Sequence, residues 1–211
     1  MRTLSVRGSG HVSIKPDTIV FDFDIQQSNK EYDLCMKMHK ERADAFLKEI
    51  LVAGFKKEEL KTTRYEVETE RNYVNGNYIF AGYKASSAYR LEFDLDQSKI
   101  ALLVKTLAKY GSFVSYTIKY TIKDKEAATN LLLDEAVKDA RKKANIMANA
   151  AGVKLGNILS INYNWSEIHF NSELTYSDYS DRSMLLEESN VPDNPDDIRA
   201  SDTVSVVWEI I

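Results

Sequence analysis

Alanines recur at every fourth position from Ala136 through Ala140 and Ala144 to Ala148, inside a segment that reads as one long helix over about 125–151. Residues four apart lie on one face of a helix, so this row forms a ridge of methyl groups. A ridge that shallow lets the helix approach a sheet or another helix closely. Gly152 lies just past the last turn, where a helix commonly stops. The chain is therefore committed to a long, tightly seated helix, and the remaining elements must supply its seat.

Strands dominate the rest. The first, about 3–14, places Leu4, Val6, Val12 and Ile14 on one parity with Gly8 and Gly10 between them. Ser5, Arg7, Ser9, His11 and Ser13 fall on the other. Two glycines in a strand permit a bulge or the close approach of another backbone. Gly8-x-Gly10 lacks the third glycine and following helix of a dinucleotide loop. Pro16-Asp17 reads as the turn of a hairpin into a second strand, where Ile19, Phe21, Phe23 and Ile25 share a face. Ser28 with Glu31 resembles a capping box for a helix that carries Tyr32, Cys35, Met36, His39, Ala43, Phe46, Leu47 and Ile50 on one side and ends at Gly54.

Strands at about 62–73 and 78–95 flank Asn75-Gly76, the dipeptide favoured where a two-residue hairpin needs positive φ. A second helix at about 98–110 turns Ile100, Leu103, Val104 and Leu107 inward, with Gly111 beyond it. Strands follow at 113–122 and 156–165, then an acidic, serine-rich stretch over about 166–200 with the composition of a solvated, flexible insert. Val204–Ile210 forms the last strand. The order ββαββαβαββ predicts an α+β fold, a mostly antiparallel sheet with helices on one face, in a single domain over 1–211. Its middle, from the second strand through the fifth, has the split βαβ order of ferredoxin-like folds.

Chemistry is sparse. A formal net charge of -4 gives no general attraction to nucleic acid or anionic membrane, and no stretch reaches the length of a membrane span. Three histidines are too scattered for a metal site, and the one cysteine, Cys35, on a packed helical face, reads as a buried thiol. His39 reads as a hydrogen-bonded core histidine, while His169 falls in the acidic stretch. Asp178, Asp181, Asp193, Asp196 and Asp197 do not have the spacing of an EF-hand loop. Tyr116 and Tyr120 share a parity with Val114, Ile118 and Ile122, which directs them to the core and Lys119 and Lys123 away from it. Catalytic, cofactor and metal residues are therefore expected to be none. The rival reading is a small hydrolase or transferase that pairs His11 with Asp17, joined by Tyr83 or Lys84. A third is a polyanion binder through the stripe Lys138, Arg141, Lys142 and Lys143.

Four segments in order resemble the SIMPL-domain family. They are Ser5-Val6-Arg7-Gly8-Ser9-Gly10 with Pro16-Asp17, then Ala81-Gly82-Tyr83-Lys84-Ala85-Ser86, then the alanine-ridge helix ending Ala151-Gly152-Val153-Lys154-Leu155-Gly156, and Val204-Ser205-Val206-Val207-Trp208-Glu209. The resemblance implies an α+β fold, no established enzymatic activity, no known cofactor and, in some bacterial members, self-association into rings or larger assemblies. The expected role is self-assembly or protein binding, in stress tolerance, with a homo-oligomer as the expected state. Many bacterial relatives are exported, whereas this sequence enters its strand pattern at once, so a cytoplasmic location is expected.

Overall fold

The computed structural model describes residues 2–108, 114–163, 168–173 and 195–211. The fold is α+β and antiparallel, as expected, but the strands divide between two sheets and two compact units.

Unit 2 is built on residues Asp17–Tyr120. It contains β2 (Thr18–Asn29), α1 (Tyr32–Val52), a short 3-10 turn (Lys57–Glu59), β3 (Leu60–Val74), β4 (Asn77–Asp94), α2 (Gln97–Ala108) and β5 (Val114–Thr121). The strands lie in the order β3-β4-β2-β5, the split βαβ arrangement that the element order predicts. Alternation sends Ile19, Phe21, Phe23 and Ile25 to one face, each 0–1% exposed, where they meet Leu91 and Phe93 of β4, Phe46 and Ile50 of α1, and Ile100, Leu103, Val104 and Leu107 of α2. Rings fill this core: Phe21 stacks on Phe23 and Phe93, and Phe46 meets Phe23 edge-on at 5.1 Å. Both helices of the unit pack on that face.

Unit 1 joins the two ends of the chain, Met1–Pro16 and Asp196–Ile211, with Thr121–Ser172. It holds β1 (Thr3–Ile14), α3 (Lys125–Ala150), β6 (Leu155–Asn162) and β8 (Ile198–Ile210) in a sheet ordered β1-β8-β6, while β7 (Asn171–Glu173) lies where the division falls. Here the alanine ridge finds its seat. A Cβ on Gly8 would stand 2.0 Å from the Ala136 carbonyl oxygen, and one on Gly10 would stand 2.0 Å from that of Leu132. Close backbone approach, not a bulge, explains both glycines. Val6, Val204, Val206 and Trp208 pack around Ala136, Ala140 and Ala144, and Ile122, Ala128, Leu132, Phe170 and Ile198 form a second cluster. Asp124 caps α3 by accepting from the Ala127 N–H at 2.8 Å.

Three local expectations fail. Pro16-Asp17 does not turn a hairpin: β1 pairs along its whole length with β8, from Thr3↔Glu209 to Ile14↔Ile198, and β2 pairs with β4. A short link passes a chain between sheets as readily as it folds one back, and the long-range partners decide. The Ser28/Glu31 capping box does not form, because Ser28 is still in β2 and its hydroxyl donates to Glu70, while the Glu31 N–H donates to the Asn29 side chain. The last strand starts at Ile198, six residues before the alternation becomes regular at Val204. Most of the acidic stretch, with Asp178, Asp181 and Asp193, lies outside the described residues, as does Gly111.

Candidate functional site

The long β3–β4 hairpin carries the most unusual surface. Asn75 at φ 50 and Gly76 at φ 85 make the two-residue turn with positive φ that the Asn-Gly pair predicts. From Asn72 to Tyr83 the sequence has no charged side chain, in a chain with 28% charged residues. Tyr73, Val74, Tyr78, Ile79 and Phe80 are 45–72% exposed. Tyr73 and Tyr78 pair across the strands with ring centroids at 5.1 Å. Phe80 meets Tyr83 at 5.3 Å, and Tyr83 meets Tyr32 of α1 at 5.4 Å, so an aromatic row runs from helix to hairpin. A bulge between Glu70 and Arg71 redirects the strands here. Gly82 sits at φ 152, where a Cβ would stand 2.6 Å from the Asn29 carbonyl oxygen.

The face of the unit 2 sheet opposite the helices is a grid of ion pairs. Asp22 accepts from Arg90 Nε at 2.7 Å and lies 3.7 Å from Lys119, and Arg64 pairs with Asp24. The Asp22 hydrogen bond holds the Arg90 guanidinium above its ordinary pKa. A depression of about 440 Å³ lies among Asp22, Asp24, Arg64, Arg90, Ser115 and Thr117. Asp22 and Asp24 there are paired with Arg90 and Arg64.

His11 projects from β1 beside its register partner Ser201, with Ser13 and Arg199 next along a depression of about 360 Å³. Ser13 donates to Asp197 at 3.0 Å. Asp17 opens unit 2 instead, accepting from the Thr18 hydroxyl at 2.7 Å, while its carbonyl accepts from the Leu95 N–H. The hairpin on which an acid–base pair of His11 and Asp17 depends is not formed. Lys84 is drawn to Glu68 at 3.7 Å and Tyr83 into the aromatic row, and His11 belongs to unit 1 while Asp17, Tyr83 and Lys84 belong to unit 2.

His39 is 1% exposed, with Nε2 3.1 Å from the Ser87 hydroxyl and the ring edge-on to Tyr65. Burial pushes its pKa below 6.5, against the opposing pull of the Ile25 main chain and the Asp24 charge. Cys35 is fully buried, its sulfur 3.2 Å from the Gln27 carbonyl and 3.3 Å from that of Tyr83. Both match the core roles that their helical spacing predicts. Tyr120 is buried and Tyr116 packs on the same core, as parity requires. His169 is exposed. On α3, Lys138 pairs with Asp134 at 2.5 Å and Lys143 with Asp139 at 2.6 Å, which neutralises half of the basic stripe. The Lys143 bond, helped by the Ser9 N–H, lowers the Asp139 pKa.

Among the described residues no three His, Cys, Asp or Glu side chains are grouped to hold a metal ion, and no helix is long and apolar enough to cross a membrane.

The model of the SIMPL family, a protein family of unknown function (DUF541), matches residues 4–208. The chain belongs to the SIMPL family. The match covers residues of both units of the SIMPL chain, and a search of curated proteins finds no match to it. Sequence reasoning identified the turn of the hairpin but missed its exposed aromatics. The signal was present in the absence of charge from Asn72 to Tyr83.

Proposed function

We propose that this SIMPL protein is non-catalytic and works through self-assembly or protein binding, with the β3–β4 hairpin as its contact element. One observation carries this reading: five large apolar or aromatic side chains, Tyr73, Val74, Tyr78, Ile79 and Phe80, are held in water on an uncharged two-stranded projection. Exposed patches of this kind, rimmed by polar residues, mark interaction sites, and tyrosines supply large contact area at low entropic cost. The rim here is Glu70, Arg71 and Lys84. A single family match over residues 4–208 supports treating residues 1–211 as one SIMPL domain of two units. A single buried cysteine with no partner for an internal disulfide fits a reducing, cytoplasmic setting, in which a stress-related role would operate.

Analytical ultracentrifugation and light scattering across micromolar concentrations, paired with partner recovery from native cells, test this reading. The wild-type chain is expected to self-associate or to retain a partner, and the triple variant Tyr73→Ser, Tyr78→Ser, Ile79→Ser to lose that behaviour with its fold intact. A chain that stays monomeric and recovers the same proteins as the triple variant would overturn it.

A further inference from the structure

Between its bulges at Thr62/Arg64 and Glu70/Arg71, β3 keeps a regular register over Arg64–Glu70. β4 pairs with one side of this run, and among the described residues no strand takes the other. Every residue of the run is exposed except Glu70, which is half-buried and accepts from the Ser28 hydroxyl. Long open edges are normally blunted by charged side chains, lysine above all, by proline or by a bulge in mid-strand. Here the bulges stand only at the ends and the charges all lie on one face, so among the described residues the outward main-chain groups over about seven residues take no strand.

The two faces of this edge differ in chemistry. Tyr65, Val67 and Thr69 lie opposite Ser87, Ala85 and Tyr83 of β4, on the side that α1 covers. Glu66, Glu68 and Glu70 lie on the other side, at every second position. Arg64 is turned inward to Asp24, and the Glu66 and Glu68 side chains remain 60% and 64% exposed despite cations at 3.7 Å. A strand added here places its residues directly against those carboxylates, and opposite charges across a ladder attract while like charges repel. A second copy of β3 is a poor occupant. Antiparallel pairing centred on Glu66, Val67 or Glu68 sets glutamate against glutamate.

We propose that Arg64–Glu70 of β3 accepts, by strand addition, an extended segment of another protein that carries lysine or arginine at alternate positions, with β-branched or aromatic residues between them. The proposal rests on the protein-binding reading and names the chemistry of the partner.

The probe is a fluorescent peptide, Lys-Val-Lys-Thr-Lys-Val-Lys, titrated by anisotropy into the full chain, with hydrogen exchange to locate it. Binding is expected to protect residues 64–70, to weaken with salt, and to fall about tenfold in Glu66→Lys/Glu68→Lys, since two attractive pairs become repulsive. The same peptide with glutamate for lysine is expected to prefer that variant. A lysine peptide N-methylated at alternate residues, which keeps the charge but cannot pair, is expected not to bind. This last arm needs no variant to fold. No binding of the lysine peptide at millimolar concentration, equal binding by the N-methylated peptide, or protection outside 64–70 would each overturn the proposal. So would concentration-dependent protection of 64–70 without peptide, which assigns the edge to a second copy. Failure here with assembly intact and sensitive to the hairpin-tip substitutions removes only this proposal; loss of both removes the reading beneath it.

Discussion

Both units lay helices on an antiparallel sheet, yet they close the gap between layers in opposite ways. Unit 2 fills it with large side chains, Phe21, Phe23, Phe46, Phe93 and Tyr120. Unit 1 removes side chains until the backbones nearly touch, with Gly8 and Gly10 beneath Leu132, Ala136 and Ala140. A ring core gains stability from apolar area and dispersion contacts, and loses it when atoms are removed. A glycine–alanine junction has little side chain to lose and fails when atoms are added. The same layer architecture therefore has opposite mutational signs.

Four substitutions probe that contrast, from the largest effect to the smallest. Phe46→Ala in unit 2 is expected to cost about 4 kcal/mol in urea denaturation, a cavity effect; a cost under about 1 kcal/mol would mean the ring core collapses freely. Gly8→Ala in unit 1 adds one methyl 2.0 Å from a carbonyl oxygen and is expected to cost about 2 kcal/mol. Hydrogen exchange should place that loss in α3 and β1; an unchanged or raised melting temperature would show that the helix lifts at no cost.

Acid sharpens the comparison. The His39 pKa is depressed in the folded chain, so the unfolded chain takes up the proton first as pH falls below 6.5, and stability is lost from there down to the folded pKa. Above 6.5 this residue contributes no slope. Exchange protection in unit 2 should fall over that window in the wild-type chain and hold steady in His39→Gln; matching profiles would remove His39 as the cause. In unit 1 the lowered residue is Asp139, whose contribution is complete above 3.8 and fades only at lower pH. Smallest is Ile79→Ser on the hairpin, 53% exposed, expected to shift stability by less than about 0.5 kcal/mol while weakening association in ultracentrifugation. A large loss of stability would recast the hairpin as part of the core.

Periodicity revealed the elements and the faces they bury: the ring face of β2, the inward residues of α2 and the alanine ridge all lie where spacing directs them. It did not reveal partners. Leu4 and Val6 of β1 alternate in the same way whether they pair with β2 or with β8, and only the distant residues from Ile198 to Ile210 decide between them. The capping box failed for a related reason, since Ser28 has a better-placed acceptor in Glu70, forty-two residues away. His39 and Cys35 were legible because a helix fixes their side; the edge of β3 was not, because a sequence pattern does not tell an edge strand from a central one.

Unit 1 brings together Met1–Pro16, Thr121–Ser172 and Asp196–Ile211, segments far apart in sequence, and this bears on the order in which it forms at the ribosome. Asp17–Tyr120 emerges as one stretch and can close its ring core while synthesis continues. Thr3–Ile14 must wait for Ile198–Ile210, its only strand partner among the described residues, to be made. At bacterial or eukaryotic elongation rates that delay is on the order of ten seconds or more. A nascent chain that stalls before residue 198 thus leaves the glycine-bearing strand Thr3–Ile14 without the pairing that Ile198–Ile210 supplies.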